Sequence, residues 1–208
     1  MKKVIQTPVD FYDRIVPVYD LVASHNIKPY RQIVKRLKIS PGRSALEVGC
    51  GTGNLTVSLA AAMARVMSID FSSRMLERAA GKIARRGFKN VTFRQMNAFD
   101  LTPEDHGTFD YCFAAFLLHV FAPADRLLLL SRVGRLATER VVVIDYAPGR
   151  YRLRYALVEW LEKSHYKEFL QADLSAQAET AGLQLIGYFE QGDFGCWEFS
   201  PPASGKSE

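Results

Sequence analysis

The chain has 208 residues, of which 48% are hydrophobic and 24% are charged, so it is typical of a globular protein and not of a disordered or fibrous one. No run of about 18 apolar residues is present, and no transmembrane helix is expected. The net charge is +5, but it is uneven: residues 1–170 carry 26 basic and 16 acidic residues, whereas residues 171–208 carry 1 and 6.

The N-terminal residues and the three cysteines indicate the compartment in which the protein resides. Two lysines follow Met1 without an apolar run behind them, so the N-terminus does not resemble a secretory signal. Cys50, Cys112 and Cys196 are far apart, which argues against a disulfide framework and against a paired-cysteine zinc site. We therefore expect a cytoplasmic protein without a metal centre.

Strand-like and helix-like segments alternate along the chain. Residues 9–39 are predicted to form an N-terminal helical cap that is broken at Pro17. Five short apolar segments are predicted to be strands: 44–48, 66–69, 91–96, 109–115 and 141–144. Helices are predicted at 54–63, at 73–87 with Ser72 as its cap, at 124–137 and at roughly 152–180. Two last strands, 183–190 and 194–199, flank a turn and read as a hairpin.

This alternation predicts an α/β fold: a Rossmann-like, doubly wound, seven-stranded sheet, mostly parallel, with a C-terminal antiparallel hairpin and helices on both faces. We expect a single domain over 1–200, with 146–180 as a substrate lid region and 201–208 as a flexible tail. On the second helix, Arg74, Arg78, Lys82 and Arg85 recur at helical spacing, which predicts a solvent-exposed basic stripe.

A glycine-rich loop joins the first strand to the first helix of the sheet. Gly49, Gly51 and Gly53 stand at every second position, and Glu47 precedes them. A dinucleotide loop would need its third glycine one residue later, and an acid would be poorly placed beside a pyrophosphate. The pattern therefore favours a positively charged adenosine cofactor without phosphates. Asp70, at the end of the second strand, could accept both ribose hydroxyls, or it could cap a helix.

Four segments carry a family resemblance when they are taken in order: 46–53, 69–70, 96–98 and 109–112. They resemble the class I S-adenosylmethionine-dependent methyltransferases, and in particular the small-molecule group that includes the ubiquinone/menaquinone-type C-methyltransferases. The match spans about residues 10–200. The resemblance implies S-adenosylmethionine as cofactor and S-adenosylhomocysteine as product.

The resemblance also implies a set of cofactor-binding residues at the glycine loop and at the strand ends: Tyr19, Glu47, Gly49, Cys50, Gly51, Gly53, Asp70, Phe71, Asn97, Ala98, Phe99 and Ala114. The three glycines would contact the methionine half through their backbone, with Glu47 near its amino and sulfonium end. Asp70 would hold the ribose, and Phe71 would pack on the adenine. Asn97 departs from the family's acid at this point. It could still accept the adenine amino group through its carbonyl oxygen, or it could merely close a turn.

Candidate acceptor-binding and catalytic residues follow the fourth and fifth strands. His119 is the best candidate for a general base, because its pKa range suits proton transfer, although a histidine on an apolar segment can equally be structural. Phe116, Asp145 and Tyr146 are expected to face the acceptor, although Asp145 could equally cap or hydrogen-bond the next loop. Tyr12, which is also expected to contact the acceptor, and Tyr19 lie in a segment that resembles the family's N-terminal Tyr-Asp element, which folds over the cofactor. Both could equally serve in ordinary helix packing.

The resemblance implies in-line SN2 transfer of a methyl group to a small-molecule or lipid-like acceptor. Two alternatives stay open: an RNA or protein methyltransferase, and a non-catalytic regulator that binds S-adenosylmethionine. Nucleic acid is disfavoured, because no Asn-Pro-Pro-Tyr-type motif follows the fourth strand and no RNA-binding domain is appended. The basic N-terminal cap (9–39) and the lid region (146–180) are consistent with an acidic acceptor or with peripheral membrane contact. The sequence leaves open the acceptor, the methylated atom (O, N or C), the need for a base and the oligomeric state.

Overall fold

A computed structural model describes residues 27–151 and 164–202. The helices are α1 (Ile27–Arg36), α2 (Asn54–Ala62), α3 (Ser73–Arg85), α4 (Pro103–His106), α5 (Pro123–Leu136), α6 (Tyr166–Phe169) and α7 (Leu174–Thr180). The strands are β1 (Ser44–Val48), β2 (Arg65–Asp70), β3 (Val91–Gln95), β4 (Phe109–Ala115), β5 (Ala137–Tyr146), β6 (Gln184–Gln191) and β7 (Phe194–Ser200). Short 3₁₀ turns occur at Ala98–Asp100 and Leu118–Val120. None of the helices in these two ranges has the length and apolar composition needed to cross a membrane.

The seven strands form one sheet in the order β3-β2-β1-β4-β5-β7-β6. The first five strands in the chain are parallel to one another, whereas β7 runs antiparallel between β5 and β6. The predicted fold class is thereby confirmed. Strand order reverses at β1, which has β2 on one side and β4 on the other. In parallel sheets, ligands bind beyond the carboxyl ends of the strands at such a reversal.

Each face of the sheet carries its own hydrophobic core. Val141 and Val143 of β5 pack into one cluster, and Val142 and Ile144 pack into the other. Successive side chains of a strand point to opposite faces, so a strand that is covered on both sides must be apolar at every position. This explains why the run of β-branched residues in β5 is fully buried.

The ends of several elements lie where local sequence signals put them. The Ser72 hydroxyl accepts a hydrogen bond from the Met75 amide at 3.1 Å and so caps α3, as predicted. After α3 the chain turns at Gly87, whose φ of +73° favours glycine. β5 extends beyond the predicted 141–144 at both ends.

The prediction of one helical stretch over 152–180 is wrong in its second half. Residues 152–163 lie outside the described ranges. The remainder forms two short helices, α6 and α7, and Asp173 separates them because its carboxylate accepts hydrogen bonds from the Ser175 and Ala176 amides and starts a new helix. Of the predicted N-terminal cap, only α1 is described, and it lies against α2.

The predicted basic stripe on α3 is also corrected at one position. Arg74, Arg78 and Arg85 are exposed, but Lys82 is only 8% exposed. Its ammonium donates hydrogen bonds to Thr52 Oγ1 at 2.9 Å and to Asn54 Oδ1 at 2.8 Å. Lys82 therefore belongs to the buried side of the helix, which faces the glycine loop.

Arg126 of α5 forms a buried hub that the sequence did not reveal. Its guanidinium is fully buried and donates to the carbonyl oxygens of Leu118 and Phe121 at 3.1 and 3.0 Å. It also donates to Glu168 Oε2 at 2.8 Å and to Gln177 Oε1 at 3.0 Å. One side chain thus joins the 3₁₀ turn after β4 to α6 and α7.

Replacing Arg126 by Met should lower the free energy of unfolding by about 3 kcal/mol, because two buried carbonyl groups and the Glu168 carboxylate would lose their donor. Denaturant-induced unfolding measures this change. Arg135→Met is the matched control on the same helix: Arg135 is mostly exposed, and its ion pair with Glu104 spans 3.5 Å. Equal losses in the two variants would contradict the hub role of Arg126.

Candidate functional site

The glycine loop turns sharply because its three glycines adopt positive φ angles of 70°, 51° and 81°. The Gly49 amide donates to the Ile69 carbonyl oxygen at 2.9 Å, and the Gly51 amide donates to Asp70 Oδ2 at 2.8 Å. A Cβ on Gly53 would lie 2.8 Å from the Cβ of Ala79, so α3 can approach the loop only where this residue is glycine. The loop is therefore fastened to the end of β2 and packed against α3.

An open cleft of about 980 Å³, its mouth included, lies beyond the carboxyl ends of β1, β2 and β4. Nine of the residues predicted from the sequence line it: Glu47, Gly49, Cys50, Gly51, Asp70, Phe71, Asn97, Ala98 and Phe116. Tyr12 and Tyr19 lie outside the described ranges.

Glu47 provides a carboxylate at the base of the cleft. Its Oε2 accepts hydrogen bonds from the Thr56 hydroxyl at 2.6 Å and from the Ser68 hydroxyl at 2.7 Å. Burial raises the pKa of Glu47 to about 7, although these two hydroxyls act in the opposite direction. A cationic ligand beside Glu47 would favour the ionised form. Burial likewise raises the pKa of the neighbouring Cys50 thiol, which stays protonated at neutral pH.

Asp70 braces the loop and faces the cleft at the same time. Its Oδ2 accepts from the Gly51 amide and its Oδ1 from the Ser72 amide at 3.0 Å. Each carboxylate oxygen can accept a further hydrogen bond, so these bonds orient Asp70 without using up its capacity for ligand hydroxyls. The two roles weighed from the sequence, ligand binding and local capping, are therefore compatible.

Asn97 closes a turn. Its Oδ1 accepts from the Phe99 amide at 3.0 Å and starts the 3₁₀ turn that follows β3. The turn brings Asn97 and Ala98 to the cleft, which Phe71 also lines. The Phe71 carbonyl oxygen accepts a hydrogen bond from Gln95 Nε2 at 3.0 Å, which joins the ends of β2 and β3.

Three residues that were expected to bind the cofactor do not line the cleft. Gly53 packs against Ala79, as described above. The ring of Phe99 packs edge-on against Phe121 at 5.2 Å, inside the core. Ala114 is paired with Val48 and Val143 inside the sheet, and the next residue, Ala115, lines the cleft in its place.

His119, Asp145 and Tyr146 are likewise absent from the described wall of the cleft. His119 is 3% exposed, and its Nδ1 lies 2.7 Å from Oδ1 of the fully buried Asp145. The Asp145 carboxylate also accepts from the backbone amides of Leu118, His119 and Tyr146 at 2.8 to 3.3 Å. The pair therefore holds the segment after β4 in place, one layer behind the described wall of the cleft. A catalytic role for His119 stays a prediction.

Aromatic rings form one side of the cleft around Phe116. This residue has a φ of +49°, an unusual value for a bulky side chain, and its amide donates to the Ile144 carbonyl oxygen at 2.8 Å. Its ring packs edge-on against Tyr146 at 5.0 Å and Phe194 at 4.7 Å, and it lies 6.5 Å from Tyr30. Strained backbone of this kind persists where the surrounding structure fixes it, often at functional sites.

Several residues that line the cleft were not predicted: Tyr30, Thr52, Asn54, Leu55, Ile69, Met75, Met96, Ala115, Leu117, Val120 and Phe121. Thr52 and Asn54 could have been found from the sequence, because they adjoin the glycine loop. Tyr30 had no such signal, since only the packing of α1 against α2 brings it there.

A family model described as a methyltransferase domain matches residues 45–140, from β1 into β5. A demethylmenaquinone methyltransferase of Anoxybacillus flavithermus is 34% identical over 92% of this chain and 86% of its own length. A demethylmenaquinone methyltransferase of Bacillus cereus is 30% identical over 88% and 84%. The chain belongs to the class I S-adenosylmethionine-dependent methyltransferases, in the menaquinone-methyltransferase-like group.

Solved structures agree with this assignment at the level of the fold. The methyltransferase superposes on the DhpI–SAH complex with a TM-score of 0.68, at 22% identity over 97% of this chain and 98% of that one. The family identifies S-adenosylmethionine as the cofactor. The cleft suits it chemically: the buried carboxylates of Glu47 and Asp70 would lie beside its positive charge, and the glycine loop would allow it to approach the main chain closely.

Without cofactor, the methyltransferase should become less stable as the pH rises from 4.5 to 7. In this window Glu47 ionises in the unfolded chain but stays largely protonated in the folded one. A folded-state pKa of about 7, against 4.5 for the free side chain, means that stability falls as the pH rises through this window. Glu47→Gln removes the titration. The free energy of unfolding of the variant minus that of the wild type should therefore rise with pH between 4.5 and 7, by at most about 1.4 kcal/mol per pH unit.

Denaturant unfolding without cofactor, repeated at pH 5, 6, 7 and 8, measures this difference. Glu77→Gln on the exposed side of α3 is the matched control and should show no such trend. A Glu47→Gln difference that is the same at pH 5 and at pH 8 would contradict the prediction.

Proposed function

We propose that the cleft binds S-adenosylmethionine between the glycine loop and the 3₁₀ turn at Asn97, and that the acceptor is a flat, electron-rich aromatic molecule of the quinol type. The observation that carries the proposal is the apolar and aromatic side of the cleft, built by Tyr30, Leu55, Ala115 and Phe116. Flat rings pack favourably against such walls. The demethylmenaquinone methyltransferases among the relatives add support, because their name specifies an acceptor of this class.

The cofactor, when bound, supplies a methyl group already activated by the sulfonium. The chain then has to position the partners and exclude water. In this proposal Glu47 faces the cationic end of the cofactor, Asp70 takes its ribose hydroxyls, and Asn97 with Ala98 contacts the adenine. Phe116 separates the cofactor half of the cleft from the buried layer behind it. The acceptor must provide an electron pair, and so the reduced quinol is proposed and not the oxidised quinone.

The setting of the reaction is inferred from the cysteines and from the charge. The three thiols are buried and free, which supports a reducing, cytoplasmic location. Peripheral contact with a membrane, where a lipid-like acceptor would reside, stays a prediction from the basic residues of the N-terminal cap and the lid region.

The acceptor is tested by offering the protein methyl-labelled S-adenosylmethionine together with a reduced naphthoquinol that lacks a ring methyl group. Label should enter the organic-extractable quinol and not RNA or a protein fraction, and the oxidised quinone should accept none.

Asp70→Asn should weaken cofactor binding about 10- to 100-fold, because it removes a charged acceptor. Asp100→Asn, at an exposed site, serves as its control. Label in RNA or protein would overturn the proposal.

The proposed role of His119 is to position the wall of the cleft through Asp145. In His119→Asn the side-chain amide can still donate to Asp145, whereas the second ring nitrogen is lost. We expect turnover within a few-fold of the wild type and an unchanged pH profile. Asp145→Ala, in contrast, should lower both stability and turnover. A fall in turnover of about 100-fold or more in His119→Asn, with loss of one limb of the pH profile, would restore the general-base role.

A further inference from the structure

Asn97 lines the cleft with both its main chain and its side chain fixed. Its carbonyl oxygen accepts from the Asp100 amide at 3.0 Å, and its Oδ1 accepts from the Phe99 amide at 3.0 Å. The preceding residue, Met96, donates its amide to the Asp70 carbonyl oxygen at 3.0 Å. Asn97 is therefore held at a set position relative to Asp70, the proposed partner of the ribose.

The bond from the Phe99 amide also decides which way round the Asn97 side chain stands. A backbone N–H needs an acceptor, so the side-chain oxygen and not the nitrogen must face it. If the two atoms exchanged places, two N–H donors would meet. The oxygen keeps a second lone pair, and no residue in 27–151 or 164–202 accepts from the nitrogen. Asn97 thus presents an acceptor and a donor, side by side and in a fixed order.

Apolar side chains reach the cleft from the same strand ends. Ile69 and Phe71 at the end of β2, Met75 of α3 and Met96 beside Asn97 all line the cleft. Side chains of this kind pack against the faces of a flat base. They cannot hydrogen-bond to its polar edge, whereas the Asn97 amide can. The edge of a bound base is therefore open to recognition by Asn97.

Adenine and a 6-oxopurine carry opposite patterns on that edge. Adenine has a donor, its 6-amino group, beside a ring nitrogen that accepts. Hypoxanthine has an accepting 6-oxo group beside N1, which carries a proton. An asparagine amide pairs with adenine through two hydrogen bonds, one accepted and one donated. It could pair in this way with hypoxanthine only after its oxygen and nitrogen exchanged places, and the Phe99 amide opposes that exchange.

We propose that Asn97 is a specificity-determining residue for the base of the cofactor, and that its amide, held by Phe99, selects adenine against 6-oxopurines. This inference rests on the proposed binding of S-adenosylmethionine in the cleft. It gives the turn that Asn97 closes a second role, because the same hydrogen bond that closes the turn fixes the direction of the amide.

The test compares two ligands that differ only in the base: S-adenosylhomocysteine and S-inosylhomocysteine, in which a 6-oxo group replaces the 6-amino group. Calorimetry gives the dissociation constant of each with the wild type, with Asn97→Asp and with Asp100→Asn, an exposed position in the same turn. The wild type and Asp100→Asn should prefer S-adenosylhomocysteine by about 10- to 100-fold, the range expected for a bidentate pair. In Asn97→Asp a second acceptor replaces the donor, so each base meets one favourable and one repulsive contact, and the preference should fall below about threefold.

Asn97→Ser provides a second variant in case Asn97→Asp does not fold. A serine hydroxyl can still accept from the Phe99 amide, so the turn is kept while the paired acceptor and donor are lost. The preference should again fall below about threefold. An unchanged preference in a folded Asn97→Asp or Asn97→Ser, or a wild type that binds both ligands equally well, would overturn the inference. Failure of the wild type to bind S-adenosylhomocysteine at all would instead overturn the proposed function.

Discussion

The hydrogen bond from the Gly51 amide to the Asp70 carboxylate is the constraint on which the site depends. It joins the loop after β1 to the end of β2, so two neighbouring strands share one rigid edge. The positive φ angles of the loop glycines let the chain make this turn, and the Ser72 amide holds the same carboxylate from the other side. Because two backbone amides hold the two oxygens of Asp70, the carboxylate is fixed to the main chain at the end of β2.

Much of the fold and the inner half of the site could be predicted because their signals are local. The spacing of the glycines predicts the tight turn, and the acids after β1 and β2 mark the ligand-binding ends of these strands. The β-branched run of β5 predicts a strand that is buried on both faces. Residues such as Tyr30 and Phe121 could not be predicted, because they reach the cleft only through the packing of helices that are distant in sequence. Ala115 lines the cleft and its neighbour Ala114 does not, because successive side chains of a strand point to opposite faces and a family motif does not resolve this alternation.

Lys82 shows why helical spacing alone gave a wrong prediction of solvent exposure. Its spacing from Arg78 and Arg85 fits a basic stripe, but it also lies three residues after Ala79, the point where α3 touches Gly53. A helix face that approaches a glycine that closely has to be buried, and the side chain one turn later is buried with it. Lys82 is buried because α3 touches the glycine loop at Gly53 and Ala79. These two residues are 26 positions apart, so no pattern within the helix could reveal their contact.

The position of β7 between β5 and β6 has a consequence for the order of folding. In the described sheet β6 is bonded only to β7, although β6 precedes it in the chain. β6 therefore has no place in the sheet until β7 has paired with β5. Hairpins with short turns form within microseconds, whereas strands that are distant in sequence pair more slowly. The topology therefore favours a route in which the two strands join the sheet as a preformed hairpin. In the folded sheet, the outermost strand is held by the chain segment that follows it.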